Sequence, residues 1–432
     1  MESLKKILII SYYWPPAGGP GVQRWLKFVK YLPENGWQPT LFIPENPSYP
    51  LIDESLIQEI PTNLEIIKNP IWEPYQWAEK LNKNNKKFKA GQFDIAKNQS
   101  FISKLSIWIR GNFFIPDARI FWVKPSIRVL EKYLKENKFD AVVTTGPPHS
   151  VHLIGLGLKR KFPSINWIAD FRDPWTEISY YKHLKLTKKS DQKHRALEKN
   201  IFENADITIA TSYTDAENFK QNGANAICIT NGFDNEFESI VHKKTNKFTI
   251  SYIGVLEQLR NPTILWETLH EVLKENNDFK NNFELKFVGR IDDKIVDELK
   301  HTLLSNNINF LGYKNHKESL YEMQNSDVLL ITNFPAKESK GIIPGKLFEY
   351  LATGNTILSF GPPNADVSNI LTKTQAGQHF TYKADKQNLK NFILSQFEIW
   401  KYQTIKKEIG CIDKFSRKNL TKKLVEVIEV RS

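Results

Sequence analysis

Residues 340–360 read Lys340-Gly341-Ile342-Ile343-Pro344-Gly345-Lys346-Leu347-Phe348-Glu349-Tyr350-Leu351-Ala352-Thr353-Gly354-Asn355-Thr356-Ile357-Leu358-Ser359-Phe360. Two glycines and a proline open the stretch. Leu347, Phe348, Leu351 and Ala352 then follow at helical spacing, Gly354 stands where glycine commonly closes a helix, and an apolar run ends it. The pattern predicts loop, short helix, turn and strand, a unit of an α/β protein. A helix opened by Pro and Gly offers bare backbone N–H groups, and its dipole favours an anion in front of them. Lys346 adds a mobile cation at that end, and Glu349, about one turn on, can accept hydrogen bonds from neutral hydroxyls. A phosphate with a sugar hydroxyl beside it fits this arrangement; an ordinary capped helix with a surface Lys and Glu is the competing reading.

Similar units recur upstream. Strand Lys6–Ser11 runs into a loop holding Gly18 and Gly19 and then an amphipathic helix through Val22, Trp25, Leu26 and Val29. This is the opening of a doubly wound α/β domain, with ligand expected at the carboxyl edge of the strand. The dinucleotide fingerprint is not met, since it would need glycine at 24, where Arg24 stands. Strands are predicted at 39–44, 139–145, 166–169, 206–210 and 226–229. Asn231-Gly232-Phe233-Asp234 is a turn signal followed by a polar stretch to Asn246. A second α/β series restarts at Phe248–Ile253 and continues through strands at 284–290, 308–313 and 327–332. The domains are therefore placed at residues 1–235 and 236–412, with a last helix in 413–432.

Asp170-Phe171-Arg172-Asp173-Pro174-Trp175 crowds charge at a strand's carboxyl end, where α/β enzymes put acid/base and binding groups. Asp170 and Asp173 are candidates for base or hydroxyl acceptor, with Arg172 pairing one of them; a structural Arg–Asp pair locking the loop is the alternative. His149 is a further candidate of the same kind. His149 and His152 lack an acidic or Cys companion at metal-ligand spacing.

A chain of 432 residues exceeds one ordinary core, and 27 Phe, 15 Tyr and 11 Trp suffice to fill two. Only Cys228 and Cys411 are present, far apart, which argues against a disulfide framework or zinc site and fits a reducing compartment. No apolar run has the length of a signal-peptide core or a membrane span, so the expected address is cytoplasmic. The net charge of +12 is dispersed and no nucleic-acid-binding signature accompanies it, so nucleic acid is not an expected partner. Lys clusters at 83–89 and at Lys182, Lys185, Lys188 and Lys189 fit solvated loops or attraction to an anionic membrane surface. Lys104–Pro116, apolar and aromatic between basic ends, fits an interfacial segment as well as part of a core.

The Gly18-Gly19 loop, Asn231–Asp234, Tyr252-Ile253-Gly254 with Arg260, Phe287-Val288-Gly289-Arg290, Phe310-Leu311-Gly312-Tyr313 and Phe348–Gly354 occur in an order that resembles the retaining glycosyltransferases of family 4. The resemblance spans nearly the whole chain. It implies the GT-B fold: two facing Rossmann-like domains, the second holding a nucleotide sugar, the first an acceptor, with a C-terminal helix crossing back. It implies no metal or cofactor, in keeping with the absence of any Asp-x-Asp triplet. By this resemblance Arg260 and Lys346 would hold the donor phosphates. Gly312, Tyr313 and Lys314 would hold the base and Glu349 the ribose, while Gly18, Gly19, Gly254, Arg290 and Gly345 would line the donor. His149, Arg172 and Asp173 would fall on the acceptor side, and Asp173, Asp170, Arg260 and Lys346 would serve the chemistry. Two departures stand out: Gly341 replaces the first glutamate of the family's Glu-x7-Glu pair, and Val255 replaces a basic residue after Gly254. The expected activity is transfer of a sugar to a glycan or lipid-linked acceptor in bacterial surface polysaccharide or lipopolysaccharide synthesis, on the inner face of the cytoplasmic membrane. A nucleotide-sugar epimerase on the same fold, or a non-catalytic nucleotide-sugar binder, are the alternatives.

Overall fold

The computed structural model describes residues 4–73, 101–178, 181–234, 246–402 and 410–430. The Lys cluster at 83–89 lies outside them. The chain divides into two compact units, residues 1–230 with 417–432, and residues 231–416.

The first unit is built on seven parallel strands, β1 (Lys5–Ser11), β2 (Trp37–Pro44), β3 (Glu65–Asn69), β4 (Ala141–Gly146), β5 (Asn166–Phe171), β6 (Ile207–Ala210) and β7 (Ala226–Cys228), in the order β3-β2-β1-β4-β5-β6-β7. Side chains alternate along β1. Ile7 and Ile9 pack on one face with Trp25 and Leu26, while Leu8 and Ile10 pack on the other with Trp167 and Phe171. Burial on both faces explains why these strands are nearly continuous apolar runs. Helix α1 (Pro20–Tyr31) follows β1, α2 (Ser150–Lys161) follows β4, and α3 (Lys188–Asn204) precedes β6.

The second unit has six parallel strands, β8 (Phe248–Ile253), β9 (Phe283–Val288), β10 (Ile308–Gly312), β11 (Val328–Thr332), β12 (Thr356–Phe360) and β13 (Gly377–Phe380), in the order β10-β9-β8-β11-β12-β13. Helix α4 (Lys346–Thr353) precedes β12 and ends on Gly354 at φ 73°, the left-handed cap expected of it. Helix α5 (Arg417–Glu429) returns to the first unit, where Leu420, Leu424, Val425 and Ile428 join the core beside α1. Two strands escape the sequence reading, β3 and β13. Both are short edge strands with polar residues, Glu65 and Lys68 in one, Gln378 and His379 in the other, so neither shows a buried-strand pattern.

Strand order reverses between β1 and β4 in the first sheet and between β8 and β11 in the second. Ligands of open α/β sheets bind outside the carboxyl ends of the strands at such points. Among the described residues no helix is long and apolar enough to cross a membrane.

Candidate functional site

The predicted residues fall into two groups, one in each unit. In the second unit, β8, β9 and β10 each end at a glycine with positive φ: Gly254 (137°), Gly289 (114°) and Gly312 (66°). Gly254 and Gly289 are demanded by space as well. A Cβ on Gly289 would come within 2.2 Å of the Gly254 carbonyl, and one on Gly254 within 2.4 Å of Lys346 Nζ. Gly345 is different, with ordinary helical φ and open space around it, so glycine there has no steric necessity.

Lys346, the first residue of α4, reaches across the switch point and donates from Nζ to the Ile253 carbonyl at 2.7 Å. Burial depresses its pKa, with Glu349 opposing and the Arg260 charge adding to the depression. Arg260 donates to the Val255 carbonyl at 2.6 Å, lies 3.5 Å from Glu257 and stacks over Phe334 at 5.5 Å, while its buried Nε has no partner among the described residues. Two cations are thus held at the end of one strand. Glu349 is half-buried one turn along α4. Arg290 is exposed just past β9; beyond β10, Tyr313 projects almost wholly into solvent and Lys314 pairs with Glu318 at 3.8 Å.

In the first unit Gly18 and Gly19 lie in the loop after β1, and Gly19 opens α1 at φ 107° with no side-chain cap. Gly21, not singled out in the sequence, is the more constrained position. A Cβ there would fall 1.7 Å from an Arg172 guanidinium nitrogen. The expected Arg172–Asp pair does not form: Arg172 donates instead to the carbonyls of Gly146 and Pro147. Asp170 pairs with Arg24 at 3.0 Å and accepts from Trp25 Nε1 at 2.7 Å and Thr145 Oγ1 at 2.8 Å, wholly buried. Its oxygens are committed to the protein, so Asp170 is a structural anchor and the catalytic expectation for it is corrected. Asp173, unlike Asp170, is exposed.

His149 follows β4 and stacks between Trp175, at 5.2 Å and nearly parallel, and Phe171, at 5.5 Å. Burial holds its pKa well below the ordinary value, with the charges of His152, Arg172 and His194 acting the same way, so the ring is neutral at physiological pH. His149, Asp173, Tyr13 and Trp175 share one cavity of about 280 Å3 inside this unit. Tyr13, Tyr181 and His194 were missed by the sequence reading. They come from three separated stretches with no local motif, and only the fold assembles them.

Neither a protein-family model nor a curated protein sequence matches the chain. Solved structures do. A glycosyltransferase from Rickettsia africae ESF-5 superposes with a TM-score of 0.57 at 14% identity, covering 99% of this chain and 98% of the other. The lipopolysaccharide outer core galactosyltransferase WaaB, in its apo form, gives 0.56 at 13% identity over 99% and 100%. TarM gives 0.61 at 10% identity over 99% of both chains. The chain shares their fold, two Rossmann-like parallel-sheet units of the GT-B class. At these identities the likeness speaks for architecture alone.

Proposed function

We propose that the chain is a metal-independent, retaining glycosyltransferase that moves a sugar from a nucleotide-sugar donor to a glycan or lipid-linked acceptor in bacterial surface polysaccharide or lipopolysaccharide synthesis. The observation that carries this reading is the pair of cations at the end of β8, Lys346 on Ile253 and Arg260 with an unclaimed Nε donor, beside the opening turn of α4. Two like charges held together at a switch point favour an anion between them, and a donor diphosphate is such an anion.

In the transfer the bond between the anomeric carbon and the phosphate oxygen breaks, leaving positive charge on the sugar and negative charge on the departing nucleoside diphosphate. Lys346, Arg260 and the α4 N–H groups stabilise the latter. The acceptor hydroxyl attacks from the face the phosphate leaves, and its proton passes to a phosphate oxygen. Asp173 orients the acceptor. Glu349 takes the ribose hydroxyls, Tyr313 and Lys314 the base, and Arg290 the edge of the donor site. Gly341 leaves the sugar without the carboxylate seen in the resembled family, so the phosphate cations carry more of the stabilisation. The protein works at the inner face of the cytoplasmic membrane, with Leu105, Trp108, Ile109 and Phe113 of the Phe101–Phe113 helix exposed for contact with lipid.

The test is thermal unfolding with UDP-, GDP-, dTDP- and CMP-sugars. A ligand at 100 times its dissociation constant stabilises the native state by about 2.7 kcal/mol. One nucleotide class should raise the midpoint, and Arg260→Ala and Lys346→Ala should abolish the rise. No rise with any of the four, or release of a free epimerised sugar nucleotide, sinks the reading.

A further inference from the structure

In the second unit Arg260 is held at both of its ends by a tyrosine hydroxyl. At the side-chain end, the Val255 carbonyl accepts from Arg260 Nη2 at 2.6 Å and from the Tyr252 hydroxyl at 2.9 Å. A carbonyl oxygen has two lone pairs, and both are filled here. At the backbone end, the Tyr382 hydroxyl stands 3.0 Å from the Arg260 carbonyl and 2.6 Å from the Asn333 carbonyl, donating to both. Burial raises the pKa of each phenol, against the charge of Arg260, so both keep their proton at physiological pH.

These contacts come from the carboxyl ends of three strands. Tyr252 lies in β8, Asn333 follows β11, and Tyr382 follows β13, which β11 and β12 separate from β8 in the sheet. The Tyr382 hydroxyl therefore ties the loop carrying Arg260 to the end of β11. Phe334, the residue after Asn333, is the ring beneath the Arg260 guanidinium at 5.5 Å. Asn333 in turn donates from Nδ2 to the Ile342 carbonyl at 2.8 Å, in the loop that leads into α4 and Lys346. An arginine on a loop has many rotamers to lose when it grips an anion, and ordering it beforehand removes that cost. Here the guanidinium is ordered while its Nε, without a partner among the described residues, keeps an unspent donor.

We propose that Tyr252 and Tyr382 are positioning residues that fix the Arg260 guanidinium over Phe334 in the free protein. The inference rests on the transferase reading above, in which Arg260 takes the donor diphosphate. Each tyrosine acts through Arg260 rather than on the donor itself. Tyr252 orients the carbonyl that the guanidinium grips, and Tyr382 sets the distance between the Arg260 backbone and the Phe334 ring.

The experiment follows the Nε–Hε signal of Arg260 by NMR in the full chain carrying 15N-labelled arginine. Arg260→Lys identifies the signal by removing it. The Phe334 ring should displace it from the range of solvated arginines, and Phe334→Leu should return it there. Tyr382→Phe and Tyr252→Phe keep the rings and delete one hydroxyl each, and each should move the signal most of the way to its Phe334→Leu position. Tyr382 is half-buried, so its variant remains informative if Tyr252→Phe does not fold. A tyrosine that only stabilised the fold would lower the unfolding midpoint and leave the Arg260 signal in place. Inorganic pyrophosphate, UDP, GDP and dTDP are then titrated by calorimetry. Tyr382→Phe should weaken the tightest of them fivefold or more in the parent and less than twofold in Arg260→Ala, because residues that act as one unit are not additive. The proposal is overturned if the Arg260 signal is the same in the parent and in Tyr382→Phe, or if the loss of affinity is the same with and without Arg260. Absence of binding by all four anions sinks the donor site of the transferase reading, while the NMR signal still decides whether the tyrosines hold Arg260, so the two can fail separately.

Discussion

Lys346 Nζ hydrogen-bonds the Ile253 carbonyl at 2.7 Å and stands 2.4 Å from the point a Cβ on Gly254 would occupy. The first residue of a helix is thereby tied to the end of a strand 93 positions away in sequence, and the absent side chain of Gly254 makes room for the cation.

Gly254→Ala should break this arrangement. Its φ of 137° strains an L side chain, and the new Cβ would stand 2.4 Å from Nζ. A loss of about 1–3 kcal/mol in stability is expected from urea melts. The nucleotide-sugar thermal shift should fall along with it. An alanine variant that binds the nucleotide normally would show that Lys346 need not sit there.

The charge on Lys346 should give donor binding a pH dependence. Its native pKa lies below the ordinary lysine value because of burial, with Arg260 adding to the depression. Between the two values the unfolded chain binds more protons, so stability should rise with pH across that window. Diphosphate binding needs the protonated form, and its affinity should therefore fall as pH rises through the lowered pKa. Calorimetric titration of a nucleoside diphosphate over a pH series reads this slope, and Lys346→Met should flatten it.

Asp170 and Asp173, three residues apart, should behave oppositely. Asp170→Ala strands the buried Arg24 guanidinium and should cost about 3–5 kcal/mol, read by chemical denaturation. Asp173→Asn removes no described hydrogen bond and should stay within about 0.5 kcal/mol of the parent. Equal losses would contradict the separate roles assigned to them.

The exposed face of the Phe101–Phe113 helix should partition to lipid. Phe113 is 68% exposed and packs edge-on to Trp108 at 5.6 Å. Burying a large apolar side chain gains about 1.5–3 kcal/mol, so Trp108→Ser with Phe113→Ser should weaken binding to phosphatidylglycerol-rich vesicles by well over tenfold. Sedimentation with those vesicles reads the change. Unaltered sedimentation would place the contact elsewhere.

Periodicity and turn chemistry alone determined much of this molecule. The apolar runs of β1, β4 and β8 are legible because strands buried on both faces admit almost no polar residue. The Gly354 cap of α4 and the glycines ending β8 to β10 are legible because backbone geometry restricts which residues can stand there. Tertiary structure decided the rest. The partner of Asp170 is Arg24, 146 positions away, and no local pattern ranks Arg24 above Arg172, two residues on. The cavity around His149 joins side chains from separate loops because the strand order reverses between β1 and β4. Local sequence restricts each residue's own backbone, whereas long-range pairing depends on which strands become neighbours, and that is settled only when the whole sheet packs.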